Sequence, residues 1–192
     1  MTHDMLAFLR SRHSTPSRQL GEPGPDDAQL HAMLDVALHV PDHGRLAPWR
    51  FIRIRGGERQ RLGERLASIH HGKQPDAGDA AFEKLRNRFN AAPEIIAVVT
   101  CITAGHKVPE VEQRLSAGAV CFQLLLAAHA CGYGAQWLTG WPAYDANVHG
   151  LLGLAANEEI AGFIHIGTAI GSLPDRERPS AASLLTEWRD AG

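Results

Sequence analysis

Cysteine is scarce in this chain: three residues in 192, Cys101, Cys121 and Cys131, with no CxxC spacing and an odd count for any disulfide scheme. That argues against a disulfide scaffold or a paired-cysteine metal site, and a reducing compartment, the cytoplasm, is expected. A basic excess is also missing, with 19 Lys and Arg against 21 Asp and Glu, so nucleic acid is not an expected partner. Only residues 117–135 approach the length of a membrane span, and Gln123 and His129 interrupt them, so a buried helix is expected and no membrane partner. Residues 1–12 carry Asp4 where a signal peptide needs an unbroken apolar core, so secretion is not indicated. There is no internal repeat, no HExxH, and neither GxGxxG nor GxxxxGK[ST] after a strand pattern. Any phosphate must therefore be held by side chains.

What is present suits one soluble domain spanning residues 1–192, with 44% hydrophobic and 21% charged residues. Met5, Phe8 and Leu9 lie on one face of a helix predicted over 4–12, which ends before Pro16. Residues 26–40 open on two candidate N-caps and place Leu30, Met33, Leu34, Ala37 and Leu38 together, a second helix stopped by Pro41. Strands are predicted at 50–55, 94–103, 134–140 and 160–169, from short β-branched or apolar runs bounded by Gly or Pro. Charged helices are predicted at 58–70 and 79–89, with mobility expected in the Gly, Pro and Asp loop between them, and a short helix at 146–154. Residues 109–131 begin with Pro and two acids and become apolar on every side, as a buried central helix would. Strands set among helical pairs argue for an α+β domain with a mostly antiparallel or mixed sheet flanked by helices. Leu184, Leu185 and Trp188 end an otherwise irregular tail and need somewhere to dock.

Two segments could carry chemistry. Arg12, His13 and Ser14 leave the first helix together, and a guanidinium and a hydroxyl two residues apart can converge on one phosphoryl group. The plainer alternative is that Arg12 is a solvated helix-end cation. Residues 41–50 (PDHGRLAPWR) form a loop rich in polar groups directly before a strand, which is where function often lies. Here the plainer alternative is a turn capped by Asp42, with Trp49 in the core.

Arg12-His13-Ser14-Thr15 resembles the opening signature of the FMN-dependent nitroreductase family, and residues 41–51 (PDHGRLAPWRF) resemble that family's Ala-Pro-Ser-x-x-Asn-x-Gln-Pro-Trp-x-Phe segment. The Pro-Asp-His variant, His106-Lys107-Val108-Pro109, Ser116-Ala117-Gly118 and the segment 132–140 look like the short YdjA-type branch of bacterial NAD(P)H nitroreductases. The resemblance covers nearly the whole chain. It departs at Pro16, where the family often has a basic residue, and at Gly44-Arg45-Leu46-Ala47, which lacks the usual Asn and Gln.

The resemblance implies a nitroreductase-like fold working as a homodimer, with FMN at the subunit interface, NAD(P)H as co-substrate and the tail docked at that interface. Arg12 and Ser14, with His13 between them, would hold the phosphate end of FMN. His39 and His43, with the neighbouring Asp42, would approach the flavin from the other subunit. Trp137, Leu138 and Thr139 match the segment that lines the flavin, and Arg176 and Arg178 resemble a late basic cluster that reaches the phosphate. Hydride would pass from NAD(P)H through flavin N5 to a nitroaromatic, quinone or similar small-molecule acceptor in a ping-pong scheme. No protein side chain is expected to act as nucleophile or dedicated acid, because the cofactor carries the chemistry.

Three rival readings are weighed. One is a flavin carrier without turnover, since the loop lacks its usual Asn and Gln. Another is a metal enzyme using His39 and His43, with His70, His71 and His106 elsewhere, although Pro41 breaks any helix between the first two. The last is a cysteine hydrolase, disfavoured because the three cysteines fall in segments read as buried.

Overall fold

The two most β-branched runs form the middle of the sheet. In a computed structural model that describes residues 2–74, 78–171 and 176–190, β3 (Glu94–Cys101) pairs antiparallel with β5 (Glu158–Ala169). The other edge of β3 takes β2 (Trp49–Arg55). β5 also pairs with β4 (Gly134–Leu138) and, at its C-terminal end, with the two-residue β1 (Leu20–Gly21). Every pairing among the described residues is antiparallel, which settles the mostly antiparallel or mixed expectation. The α+β class holds.

Both faces of β3 and β5 are covered. Ile96, Val98, Ile164 and Ile166 pack under α2 (Asp27–Ala37) and α5 (Glu110–Ala130), against Leu30, Met33, Val120 and Leu124. Ile95, Ala97, Val99 and Phe163 face the other way, onto Leu62 and Leu66 of α3 (Gly57–Lys73), Phe89 after α4 (Asp79–Arg88) and Val148 of α6 (Ala146–Leu151). A bulge breaks the alternation: Gly162 opposes Val98 and Ile160 opposes Val99, leaving Ala161 with no partner on β3. Ile160 and Phe163 therefore share a face although they differ in parity.

Local signals explain the helix limits. Asp26 accepts from the Gln29 amide while the Gln29 side chain accepts from the Asp26 amide, a reciprocal cap that starts α2. The helix ends at Ala37, earlier than expected. The first helix, α1 (Thr2–Ser11), stops one residue before Arg12. Of the loop expected to be mobile, residues 75–77 lie outside the described residues.

Three expectations need correction. The central helix is not covered on every side: Val111, Leu115 and Phe122 form an exposed stripe, because the sheet and α2 cover only the opposite face. The apolar tail finds no place on its own chain, with Leu184, Leu185 and Trp188 at least 71% exposed. Cys131 is exposed, since α5 ends at Ala130 and Cys131 caps it before the turn at Gly132.

Two positions test this packing. A Cβ on Gly63 would lie 2.3 Å from the backbone oxygen of Arg86, so only glycine lets α3 and α4 approach this closely. Gly63→Ala should cost about 1–3 kcal/mol or more by urea unfolding, because backbone has to move. His165 is fully buried beside Phe89, neither ring nitrogen has a partner, and burial, reinforced by Arg88, pushes its pKa down to about 3. An unfolded histidine titrates near ~6.5, so below that pH the unfolded chain takes up a proton that the folded one refuses. This contribution to stability is complete above that pH and is lost as pH falls toward about 3. His165→Leu should lose less stability than the parent between neutral pH and pH ~4.5, measured as the difference between their unfolding curves.

Candidate functional site

The residues after α1 leave the helix in an extended course, because Pro16 disfavours helical geometry at Thr15. The Thr15 amide donates to the Ala135 carbonyl (3.0 Å) and the Ser17 amide to Gln136 Oε1 (2.5 Å), which lays the segment beside β4. Gly134 permits this, since a Cβ there would meet the Leu20 and Thr15 side chains at 2.8 Å. Extended backbone sends successive side chains to opposite sides. Arg12 and Ser14 face a cleft of about 420 Å³ with Phe122, Leu125, Trp137 and Thr139. His13 faces the other way, with Thr15 and His129, into a smaller hollow of about 230 Å³.

The cleft gathers positive charge. The Arg12 guanidinium lies 6.0 Å from the centre of the Phe122 ring, and its pKa is lowered by burial and by the nearby Arg178 and Arg176. Arg176 and Arg178 thus lie near enough to Arg12 to disfavour its charged form, and the described residues that line the cleft include no carboxylate. The Arg178 side chain also donates to the Arg176 carbonyl (3.1 Å). Trp137 is fixed by its indole N–H, which donates 3.0 Å to the carbonyl of Ala161, the residue the bulge leaves over.

Alternation along β4 sends Gln136 and Leu138 to the opposite side from Trp137 and Thr139. They border a second cavity of about 570 Å³, walled by α3, α4 and the turn after β4. Arg88 enters it, donating to the Thr139 carbonyl (2.7 Å), and partial burial lowers its pKa. Gly140 at φ 77° brings the backbone against that guanidinium, which a Cβ would approach to 3.2 Å. Arg18, Lys84, His70 and Trp141 also line the cavity. Sequence reasoning missed all of these and Gln136. Arg88 and Lys84 read there as ordinary cations of an amphipathic helix, and no local pattern separates them from Arg86, which pairs with Glu83.

His39, Asp42 and His43 are not brought to either cavity within one protomer. Asp42 accepts from the amides of Leu46 (3.1 Å) and Ala47 (2.8 Å), holding a turn in which Gly44, Arg45 and Ala47 have positive φ. His43 Nδ1 lies 2.7 Å from Glu112, and Ser116 Oγ donates to the Pro41 carbonyl (2.6 Å). Both contacts lie near the start of α5, and Glu112 is ten residues from Phe122, or about 15 Å along the helix axis. Trp49 packs against the core.

The rival chemistries find little to use. Among the described residues no three His, Cys, Asp or Glu side chains gather as a metal site. Burial pushes the Cys101 thiol up to about 11 and Cys121 to about 12, the wrong direction for a nucleophile.

Comparison with known proteins shows the family. The family model described as "Nitroreductase family" matches residues 9–168. The chain is 35% identical over 166 residues to "Putative NAD(P)H nitroreductase YdjA" of Escherichia coli K12, covering 86% of this chain and 88% of that protein. It is 31% identical over 168 residues to a Haemophilus influenzae protein named "Putative NAD(P)H nitroreductase", covering 87% and 89%. Among solved structures, the nitroreductase-like family protein of Bacillus cereus superposes with a TM-score of 0.81 at 20% identity, over 96% of this chain and 95% of that one. A Desulfovibrio desulfuricans nitroreductase crystallised with FMN superposes with a TM-score of 0.74 at 25% identity, over 96% of both chains. With the family model matching residues 9–168 and a relative 35% identical over most of the sequence, this chain belongs to the nitroreductase family of oxidoreductases.

Proposed function

We propose that this protein is a cytoplasmic, single-domain FMN oxidoreductase that takes hydride from NAD(P)H and delivers it to a nitroaromatic, quinone or similar acceptor. The observation that carries this reading is the cleft in which the half-buried Arg12 lies beside Ser14 and close to Arg176 and Arg178, with no carboxylate among its described lining residues. Like charges held together at a half-buried site suit a dianionic phosphate, which charge-assisted hydrogen bonds would hold. The FMN of the Desulfovibrio relative and the NAD(P)H in the names of the curated ones fit that donor set.

Arg12 and Ser14, with the tail arginines, would bind the phosphate end. Trp137, locked by Ala161, and Thr139 would wall that end, while Leu138, Gln136 and Arg88 would receive the ring in the second cavity. FMN held there would supply the hydride-transfer chemistry between NAD(P)H and an acceptor. Arg88 contributes a fixed, partly desolvated cation that favours negative charge beside it, and its tether to Thr139 keeps it from collapsing onto solvent.

The uncovered apolar surface supports a homodimer. Val111, Leu115 and Phe122 of α5, Met5, Leu6 and Leu9 of α1, and Val36 and Leu38 around the end of α2 are exposed together with the apolar tail, more than a lone soluble protomer usually shows. Pairing two copies across α5 would bury this surface, give the tail a place to dock and bring the loop of His39, Asp42 and His43 toward the cleft of the other copy. The free thiols suit a reducing compartment.

An absorbance spectrum of the purified protein, with FMN added if it is colourless, followed by anaerobic NADH or NADPH, tests the reading. Flavin bands that bleach support it, bands that persist favour a carrier, and absence of flavin binding overturns it. Initial-rate double-reciprocal lines should be parallel, and intersecting lines would rule out the ping-pong order. Arg12→Ala should weaken FMN binding by about 1.5–3 kcal/mol, roughly ten- to a hundredfold, read from recovery of flavin fluorescence. Phe122→Asp should shift the protein from dimer to monomer in sedimentation velocity and weaken FMN retention with it.

A further inference from the structure

The segment before β2 carries more strain and more tethers than an exposed turn needs. Gly44, Arg45 and Ala47 have positive φ, at 75°, 54° and 46°, and the last two bear side chains that disfavour it. Such backbone persists where its surroundings fix it. Asp42 caps the Leu46 and Ala47 amides from within, and α5 holds the segment from outside through Glu112 and Ser116, one helical turn apart. Gly44 packs so closely that an added Cβ would lie 3.2 Å from Val108 and 3.9 Å from His106. Val111 and Leu115, each next in sequence to a tethering residue, belong to the exposed stripe that a second copy would cover.

Two histidines here are held in opposite forms. His106 Nδ1 accepts from the Val108 amide (3.1 Å), so a neutral His106 carries its proton on Nε2. His43 Nδ1 lies 2.7 Å from the Glu112 carboxylate, which when ionised can only accept, so a neutral His43 carries its proton on Nδ1. Its Nε2 is then a bare acceptor with no hydrogen-bond partner among the described residues, on a side chain that is 63% exposed.

We infer that Glu112 is a positioning residue for the flavin site: by fixing His43 in the Nδ1–H form, it turns Nε2 into an acceptor offered to a donor group of the flavin held by the other copy. The inference rests on the flavin and dimer readings above. The fixed form is selective. It suits the ring N3–H or a ribityl hydroxyl, and it gives nothing to the ring carbonyls or the phosphate. Residues 44–47 contain no Asn or Gln, whose amides could serve donors and acceptors alike, so the choice falls to His43. As an exposed ion pair the contact adds little to folding, which leaves orientation as its main effect.

Ring-nitrogen chemical shifts in isotope-labelled protein at mildly alkaline pH report the form of each histidine directly. In the parent, His43 should be protonated on Nδ1 and His106 on Nε2. Glu112→Gln, which keeps an acceptor, should preserve this, whereas Glu112→Ala should let His43 exchange between both forms. Flavin binding then separates positioning from bulk structure. Glu112→Ala should raise the FMN Kd about fivefold, Glu112→Gln by no more than about twofold, and His43→Ala about as much as Glu112→Ala. The double variant should bind no more weakly than His43→Ala alone, because Glu112 acts only through the ring. With N3-methyl FMN, loss of the Glu112 effect identifies the ring N3–H as the donor, and an unchanged effect identifies a ribityl hydroxyl. An Nε2-protonated His43 in the parent, additive losses in the double variant, or a Glu112→Ala protein that binds FMN as the parent does overturns the inference. Absence of flavin binding, or flavin bound by a monomer in sedimentation velocity, would instead defeat the readings on which the inference rests, and the His43 shifts would still report by themselves on the hold of Glu112.

Discussion

The period-two alternation of an edge strand organises everything around the candidate site. Pairing with β5 fixes the pleat of β4, so Trp137 and Thr139 must point to one side while Gln136 and Leu138 point to the other. The extended segment from Arg12 to Thr15, hydrogen-bonded alongside, obeys the same rule and divides Arg12 and Ser14 from His13 and Thr15. One strand thereby serves two cavities, a cationic cleft and a larger aromatic one, and the Arg88–Thr139 contact bridges them at the strand's end. The bulge at Ala161 adds the last constraint, presenting a carbonyl that locks the Trp137 indole.

Charge is organised by position and not by amount. The chain is almost neutral, and most arginines around the sheet are spent on carboxylates: Arg50 holds Glu158 with two hydrogen bonds and depresses its pKa to about 2, and Arg53 links Glu94 to Asp27. Those pairs tie strands to neighbouring elements. Around the two cavities the pattern differs, with Arg12, Arg18, Lys84 and Arg88 among the described lining residues and no acid among them. Partial burial disfavours the charged forms of Arg12 and Arg88, and an arriving anion would favour them, as at a ligand site.

The protomer also leaves one side of its core unfinished. α5 buries Ala117, Val120, Cys121, Leu124 and Ala128 against the sheet, yet exposes Phe122 beside Arg12 in the cleft. The cationic cleft and the apolar stripe therefore share a residue. In the proposed dimer, covering the stripe and completing the site would be one event.

Much of this was legible in the linear chain. The β-branched runs at 94–103 and 160–169, the Asp26 and Gln29 cap, Pro109 before α5 and the Arg12 to Thr15 motif each act through neighbours in sequence, so local chemistry determined the elements, the fold class and the phosphate-binding candidates. Arg88, Lys84, His70 and Gln136 carry no local mark. They come from two helices and a strand spread over about seventy residues, and only the close approach of α3 to α4 at Gly63 and the register of β4 on β5 set them around one cavity. The exposed stripe of α5 was hidden for the same reason: a helix apolar on all sides is a property of sequence, but which side its own fold covers is decided by tertiary packing.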